Sequence, residues 1–176
     1  IDLDKLFQAA VVGITGLPGA MVRPRWQTTI PKQPEPSVNW CAIGTTRIAA
    51  DAGPAITHNK AGAGSDNLVR HEDIEVLATF YGPNCQSYAA RLRDGLSIPQ
   101  NIEALNALQI SFVDAAEIVS VPELVNQQWV RRCDFAARFR RKVSRSYAVL
   151  NIEAADVHLF DDSGHVDEII QVRPAP

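Results

Sequence analysis

Cysteine and histidine are the residue types of this 176-residue chain that could supply a nucleophile, a general base or metal ligands. The cysteines are isolated, and no histidine has a carboxylate or cysteine partner at the spacing of a catalytic triad or a zinc site. The sequence therefore predicts no catalytic residue, no metal ligand and no cofactor, and we expect a protein that is not an enzyme. The residues concerned are Cys41, Cys85, Cys133, His58, His71, His158 and His165.

Two weaker arrangements offer alternative chemistry. Cys41 and His71 could meet across two strands as a thiol–imidazole pair, but the local sequence signatures of cysteine nucleophiles are absent. His165 and Asp167, close to acidic residues 161–162, could hold a metal, but short acidic tails are more often solvated. We therefore interpret all three cysteines as small buried side chains.

The glycines raise the question of a phosphate-binding loop. The sequence contains neither G-x-G-x-x-G nor G-x-x-x-x-G-K-[ST]. The stretch AGAGSDN at 61–67 leads into a predicted strand, whereas a phosphate-binding loop opens a helix. Nucleotide binding is therefore disfavoured, and we expect residues 57–69 to form a flexible loop in a hairpin-like excursion.

The stretch WVRRCDFAARFRRKVSRSY at 129–147 is the longest patterned element. A period of two predicts a strand with one face on the core. Residues 129–143, at ~3.3 Å each, would extend about 50 Å, so we expect this strand to project beyond its sheet. The predicted core set is Trp129, Cys133, Phe135, Ala137, Phe139 and Val143, and the opposite set is Arg132, Asp134, Arg138, Arg140 and Lys142.

Charge is segregated along the chain. Residues 129–147 contain seven basic residues against Asp134 alone, although the whole chain has a formal net charge of −3. Residues 151–176 contain six acidic residues against Arg173. A chain that separates its charges in this way favours head-to-tail contact between copies.

The basic strand has three interpretations: a nucleic-acid surface that neutralises phosphates, a solvated face, or a contact with another subunit. We favour the subunit contact because the compensating negative charge lies in the same chain, on a predicted strand over 70–81 and in the tail. The predicted interface residues are Arg131, Arg132, Arg138, Arg140, Lys142, Asp73, Glu75, Asp161 and Asp162.

The order of predicted elements indicates an α+β fold, with helices packed on one face of a mainly antiparallel sheet. We assign residues 1–150 to a single domain with a Pro-rich arm at 30–37, followed by an acidic C-terminal arm at 151–176. Asn84 is the predicted N-cap of the second helix. Helices are predicted over 3–14 and 85–108, and strands over 40–48, 70–81, 110–120 and 129–143. The predicted core contains Phe80, Leu92, Leu96, Phe112, Phe135 and Phe139.

No apolar run approaches the ~20 residues that a membrane helix requires, and residues 9–14 are too short and lack the basic flank of a signal peptide. We therefore expect a protein that is soluble and intracellular when made, with no membrane partner.

Several short motifs, taken in order, resemble the neck or tail terminator proteins of tailed bacteriophages. More narrowly, they are similar to those of contractile-tailed phages, sometimes called gateway proteins. The similarity covers roughly residues 21–151. The motifs are MVRPRWQ at 21–27, PKQPEP at 31–36, NWCAIG at 39–44, EVLATFYGP at 75–83, LRDGL at 92–96 and VPELVNQQWVRRCDFAARFRRKV at 121–143.

The resemblance implies a tail-terminator-like α+β subunit without enzymatic activity. It also implies a six-fold ring at the top of the tail, which stops growth of the tail tube and joins it to the neck around a channel for DNA. The implied partners are other copies, the tail tube, the sheath and neck, connector or collar proteins, in the virion and in the host cytoplasm during assembly. The alternative is a small nucleic-acid-binding or ligand-binding module that uses the basic strand 129–145.

Overall fold

A computed structural model describes residues 2–29, 31–125, 127–151, 155–160, 162–164 and 166–172. The helices are α1 (Leu3–Thr15), α2 (Cys85–Leu96) and α3 (Glu103–Ala107), with 3₁₀ turns at Gly19–Met21 and Pro99–Ile102. The strands are β1 (Val22–Pro24), β2 (Trp40–Ala50), β3 (Ala55–Asn59), β4 (Ser65–Tyr81), β5 (Ile110–Ala115), β6 (Val119–Ser120), β7 (Glu123–Val125), β8 (Gln128–Val130), β9 (Arg132–Ala148), β10 (Ala155–Phe160) and β11 (Val166–Val172).

The chain divides into two compact units. Unit 1 comprises Ile1–Pro54 and Arg70–Val143, and unit 2 comprises Ala55–Val69 and Ser144–Pro176.

The central sheet of unit 1 has the strand order β1-β2-β4-β9-β5. Strand β2 pairs antiparallel with β4, and β5 pairs antiparallel with β9, whereas the short β1 runs parallel to β2. The α+β fold with a mainly antiparallel sheet, predicted from the sequence, is therefore confirmed.

Helix α1 begins and ends where local chemistry favours it. The carboxylate of Asp2, the N-cap, accepts a hydrogen bond from the Lys5 backbone N–H at 3.2 Å. Gly16 ends the helix in the left-handed conformation, with φ at 75°, and its N–H donates to the Val12 carbonyl. The buried face of the helix carries Phe7, Val11 and Thr15.

The core of unit 1 lies between the sheet and helices α1 and α2. Phe7 of α1 packs on Phe139 of β9 with ring centroids 4.7 Å apart. Of the six predicted core residues, Phe112 is half-buried at the margin, with its ring centroid 5.8 Å from that of Phe139. The other five are buried: Phe80, Leu92, Leu96, Phe135 and Phe139.

The predicted assignment of side chains to the core face is correct within β9 but wrong for Trp129, at the start of the predicted strand 129–143. Cys133, Phe135 and Phe139 are buried, but Trp129 is 70% exposed. Trp129 belongs to β8, which pairs with β7 in a separate hairpin, and residue 131 interrupts the strand before β9 begins. Alternation does not carry across such a break, so the side-chain parity starts afresh.

Asn84 precedes α2 as predicted, but its side chain makes no capping hydrogen bond. Its backbone N–H donates instead to Asn39 Oδ1 at 2.9 Å, which ties the start of α2 to the residue before β2.

In unit 2, the predicted hairpin-like excursion is present, but residues 57–69 are mainly strand and not a flexible loop. Strand β3 pairs antiparallel with the first residues of β4, and the connecting turn contains Gly62 and Gly64 at positive φ. The Asn151 side chain donates to the carbonyls of Lys60 and Gly62, which fixes the turn. The predicted acidic arm contains a second hairpin, in which β10 pairs antiparallel with β11.

The described part of the Pro-rich arm, residues 31–37, has no helix or strand. Arg23 of β1 donates from Nη1 to the Lys32 carbonyl at 2.9 Å, so this part of the arm is held against the edge of the sheet.

Candidate interaction surfaces

The face of the central sheet opposite α1 and α2, here called the outer face, carries charged side chains of both signs. Its side chains come from the alternate positions of β2, β4, β9 and β5 that do not enter the core. The residues that define it are Trp40, Arg47, Ala49, Asp73, Glu75, Tyr81, Arg132, Asp134, Ala136, Arg138, Arg140 and Asp114, whereas Gly44 and Thr79 on the same side of the sheet are buried.

Arginines of β9 on the outer face pair with carboxylates of the same chain. Arg138 Nη2 donates to Asp114 Oδ2 of β5 at 2.6 Å, directly across the strand pair. Arg140 donates to Asp73 and to Asp51, at 2.8 Å in each case. The hydrogen bond to Asp73, and then that to Asp51, raises the pKa of the Arg140 guanidinium. These half-exposed pairs contribute little to stability individually, but they neutralise the basic strand.

An aromatic stack crosses the outer face near the start of β2. The Trp40 and Tyr81 rings are stacked, with centroids 4.2 Å apart and planes 7° apart. The Arg23 guanidinium lies 5.9 Å from the Trp40 ring, and that of Arg132 lies 6.0 Å from the Tyr81 ring. The two rings therefore lie between two arginines, in the order Arg23, Trp40, Tyr81 and Arg132 across four neighbouring strands, and cation–π contacts supplement the ring stacking.

Arg132 also holds two carboxylates. Its Nη2 donates to Asp134 at 2.8 Å, and Nη1 lies 3.5 Å from Glu123 of β7. Burial acts to raise the pKa of Asp134, but hydrogen bonds from Arg132 and Thr79 outweigh it, and the pKa is lowered. The hydrogen bond to Asp134 in turn raises the pKa of Arg132.

Two clefts on the outer face share Glu75 and Arg138. One, of about 240 Å³, extends towards Asp114 and Ala136, and the other, of about 210 Å³, extends towards Arg47. We call the two together the charged groove. Small side chains on its floor and charges of both signs on its walls suit a polar protein segment.

The predicted interface residues have different surroundings in the structure. Arg132, Arg138, Arg140 and Asp73 have partners within the chain, as given above. Arg131 donates to the Pro83 carbonyl at 3.4 Å, and Glu75 accepts from the Thr46 hydroxyl at 3.3 Å. Lys142 is exposed, as is Asp162 in the turn between β10 and β11. Asp161 lies outside the described residues.

The alternative chemistry weighed from the sequence finds no support in the described residues. Cys41 lies opposite Phe80 in the β2–β4 register, whereas the neighbour of His71 in β4, Glu72, lies opposite Ala50. Cys41 and His71 therefore do not meet. The described residues hold no group of three His, Cys, Asp or Glu side chains that could bind a metal. The proposed tail site includes residues 161 and 165, outside the described residues.

Comparison with known families supplies the identification. The family model for the phage neck terminator protein matches residues 2–163. This chain belongs to the phage neck terminator family. A comparison with curated proteins found no match. The neck terminator family is a structural protein family of the virion neck, so the resemblance drawn from the sequence motifs is confirmed.

Two hairpins of this chain expose apolar side chains that the sequence analysis did not predict. In unit 1, Leu124 and Trp129 face each other across β7 and β8, and 58% and 70% of their surfaces are exposed. In unit 2, the β10–β11 hairpin exposes apolar side chains at neighbouring positions of each strand. Neighbouring residues of a strand point to opposite faces, so both faces of the hairpin carry apolar side chains. The exposed residues of that hairpin are Val157, Leu159, Phe160, Val166, Ile169 and Ile170.

The acidic composition of residues 151–176 concealed this apolar character. The signal was present as the short apolar-rich stretches VHLF at 157–160 and EII at 168–170, on either side of the polar sequence DDSGH. Among the described residues of this chain, no helix has the length and apolar character needed to cross a membrane.

Proposed function

We propose that this chain forms a homomeric ring, six-fold by analogy with the resemblance noted above, at the head-proximal end of a phage tail. The ring ends growth of the tail tube, joins the tail to the neck and leaves a channel through which DNA passes. It contacts the tube, sheath and neck, connector or collar proteins, assembles in the host cytoplasm and turns over no substrate.

The β10–β11 hairpin is the observation that carries this proposal beyond the family assignment. An isolated two-stranded hairpin is at best marginally stable in water, and this one exposes apolar side chains such as Leu159 and Phe160 on both faces. Burial against another chain would remove that apolar surface from water. A subunit that acts inside a multi-protein neck has such neighbours.

The predicted charged contact is part of the proposal in a modified form. Arg138 and Arg140 have carboxylate partners in their own chain, so a neighbour would meet preformed ion pairs. Ion pairs of this kind fix how two subunits align and which partner is accepted, but add little to the binding affinity. We propose that the adjacent copy covers the charged groove, and that residues 161 and 162 of that copy lie in the contact.

The experiment separates apolar from charged contributions to assembly. Purified protein is examined by native mass spectrometry and negative-stain microscopy, alone and with isolated tail-tube ends. We expect wild-type rings, loss of rings for Leu159→Ser with Phe160→Ser, and loss for Arg138→Glu with Arg140→Glu. Thr57→Ser, on an exposed strand of unit 2, is the mild control. Rings from both double variants, each folded by circular dichroism, would place the subunit contact elsewhere.

The alternative of a nucleic-acid-binding module is disfavoured by the ion pairs of β9. Phosphates would have to compete with Asp51, Asp73 and Asp114 for Arg138 and Arg140. Tight DNA binding by isolated protein, falling steeply with salt, would favour this alternative over the ring.

A further inference from the structure

Cys85 and Cys133 bring two sulfur atoms together in the core of unit 1. Cys85 is the first residue of α2, and Cys133 points into the core from β9. The two Sγ atoms lie 3.0 Å apart, both side chains are buried, and both cysteines are free thiols. The residues are 48 positions apart in the sequence, so the fold alone brings them together.

Backbone contacts hold the two chain segments beside each other. The Gly82 N–H donates to the Arg131 carbonyl at 3.1 Å, and Arg131 Nη1 donates back to the Pro83 carbonyl at 3.4 Å. These bonds lie within three residues of each sulfur. A disulfide bond is ~2.04 Å long, so the sulfurs need to approach by about 1 Å for the bond to form.

We infer that Cys85 and Cys133 form a disulfide modification site that closes when the protein meets a peroxide oxidant. One sulfur, as a thiolate, attacks a peroxide oxygen and becomes a sulfenic acid, while the peroxide bond breaks and the other oxygen leaves as water after taking a proton. The second sulfur then attacks the sulfenic sulfur and displaces its hydroxyl as a second water. Two thiols and one hydrogen peroxide give one disulfide and two waters, and the sulfurs lose two electrons to the peroxide.

Burial makes this reaction slow. Burial, and to a lesser extent the hydrogen bond with Cys85, raise the pKa of the Cys133 thiol to about 12. The thiol form therefore predominates at neutral pH. Burial also raises the pKa of Cys41, which has no second sulfur beside it among the described contacts. The pair therefore stays reduced in a reducing cytoplasm and closes in the oxidising surroundings of a released virion. This consequence rests on the neck assignment, whereas the chemistry does not depend on ring formation.

Peptide mapping of the full chain tests the site directly. Protein is incubated with hydrogen peroxide, alkylated in guanidinium chloride and digested with trypsin. Cys85 lies in the tryptic peptide 71–91, Cys133 in 133–138 and Cys41 in 33–47. We expect peptides 71–91 and 133–138 to be joined by a disulfide, with a mass two units below the sum of the two reduced peptides. Peptide 33–47 should carry an alkylated Cys41. The link should form faster at higher pH and disappear on reduction.

Two variants give matched controls. Cys41→Ser should leave the yield of the linked species unchanged, and Cys85→Ser should abolish it. Oxidised wild type should also unfold at a higher temperature than reduced protein, because the bond closes a long loop. Three alkylated cysteines after exhaustive oxidation of folded wild type would overturn the inference. Equal yields of links that include Cys41 would also overturn it, because they would indicate random pairing, and neither result requires a variant to fold.

Discussion

Arg141 Nη2 lies 2.7 Å from Glu72 Oε2, and the two side chains retain only 19% and 10% of their exposure. The pair lies on the helix side of the sheet, where Arg141 is opposite the buried Ile110 of β5. A buried ion pair of this kind contributes little net stability when intact, but leaves an uncompensated charge when one partner is removed.

The first prediction concerns this pair. Glu72→Ala should reduce the free energy of unfolding by about 3 kcal/mol, because Arg141 is left buried without a counter-charge. The double variant Glu72→Leu with Arg141→Leu should recover most of that loss, since both charges are gone. Urea unfolding measures each value, and equal losses in the single and double variants would show that the charge is not the cause.

The second prediction separates the core from the surface of the basic stretch. Phe135 is fully buried, so Phe135→Ala should cost about 3–5 kcal/mol. Trp129→Ala is the matched aromatic control and should cost less than about 1 kcal/mol, because Trp129 is largely exposed. Denaturant midpoints compare the two, and a reversed order would contradict the side-chain assignment of β8 and β9.

The third prediction concerns pH and His58. Its Nδ1 lies 2.7 Å from Asp66 Oδ1, and its Nε2 lies 2.9 Å from Asn151 Oδ1. Asn151 already uses its NH₂ group to donate to the Lys60 and Gly62 carbonyls, so its oxygen faces the ring. Both ring nitrogens therefore donate, which requires the imidazolium form. The hydrogen bonds to Asp66 and then Asn151 raise the pKa of His58.

A raised pKa in the folded state fixes the sign of the effect. The stabilisation is fully present below the unfolded pKa of ~6.5 and is lost as pH rises through the higher folded value. The difference in urea midpoint between wild type and His58→Gln should therefore be largest near pH 5 and shrink in alkaline solution. Asp66→Asn keeps the side-chain shape and should weaken the pH dependence. A difference that grows with pH would refute the imidazolium assignment.

The fourth prediction uses two helical glycines as a matched pair. A Cβ on buried Gly95 of α2 would lie well inside van der Waals contact with Ile14 of α1. Gly95→Ala should therefore destabilise unit 1 by about 1–3 kcal/mol despite its better helix propensity. Gly13 of α1 has open space around its Cβ position, so Gly13→Ala should stabilise by about 0.5–1 kcal/mol. Thermal unfolding of both variants tests the contrast.

The sequence by itself determined the fold class and much of the core. Alternation in β4 and β9 is a local property of the chain, so it assigned Phe80, Phe135 and Phe139 to one face without knowledge of any partner. The boundaries of α1 were similarly accessible, because Asp2 and Gly16 act on residues within a few positions of themselves. The motif order from residue 21 to residue 151 also indicated the family that the wider match confirms.

Only the tertiary structure decided which side chains meet. Alternation gives the face of a strand but not its register, so the pairing of Arg138 with Asp114 could not be derived from periodicity. The stacking of Trp40 on Tyr81 and the contact between Cys85 and Cys133 depend on the same long-range register. Trp129 is exposed because it belongs to the β7–β8 hairpin and not to β9. The chain is interrupted between β8 and β9, so the alternation of side chains in one strand does not predict the face of a residue in the other.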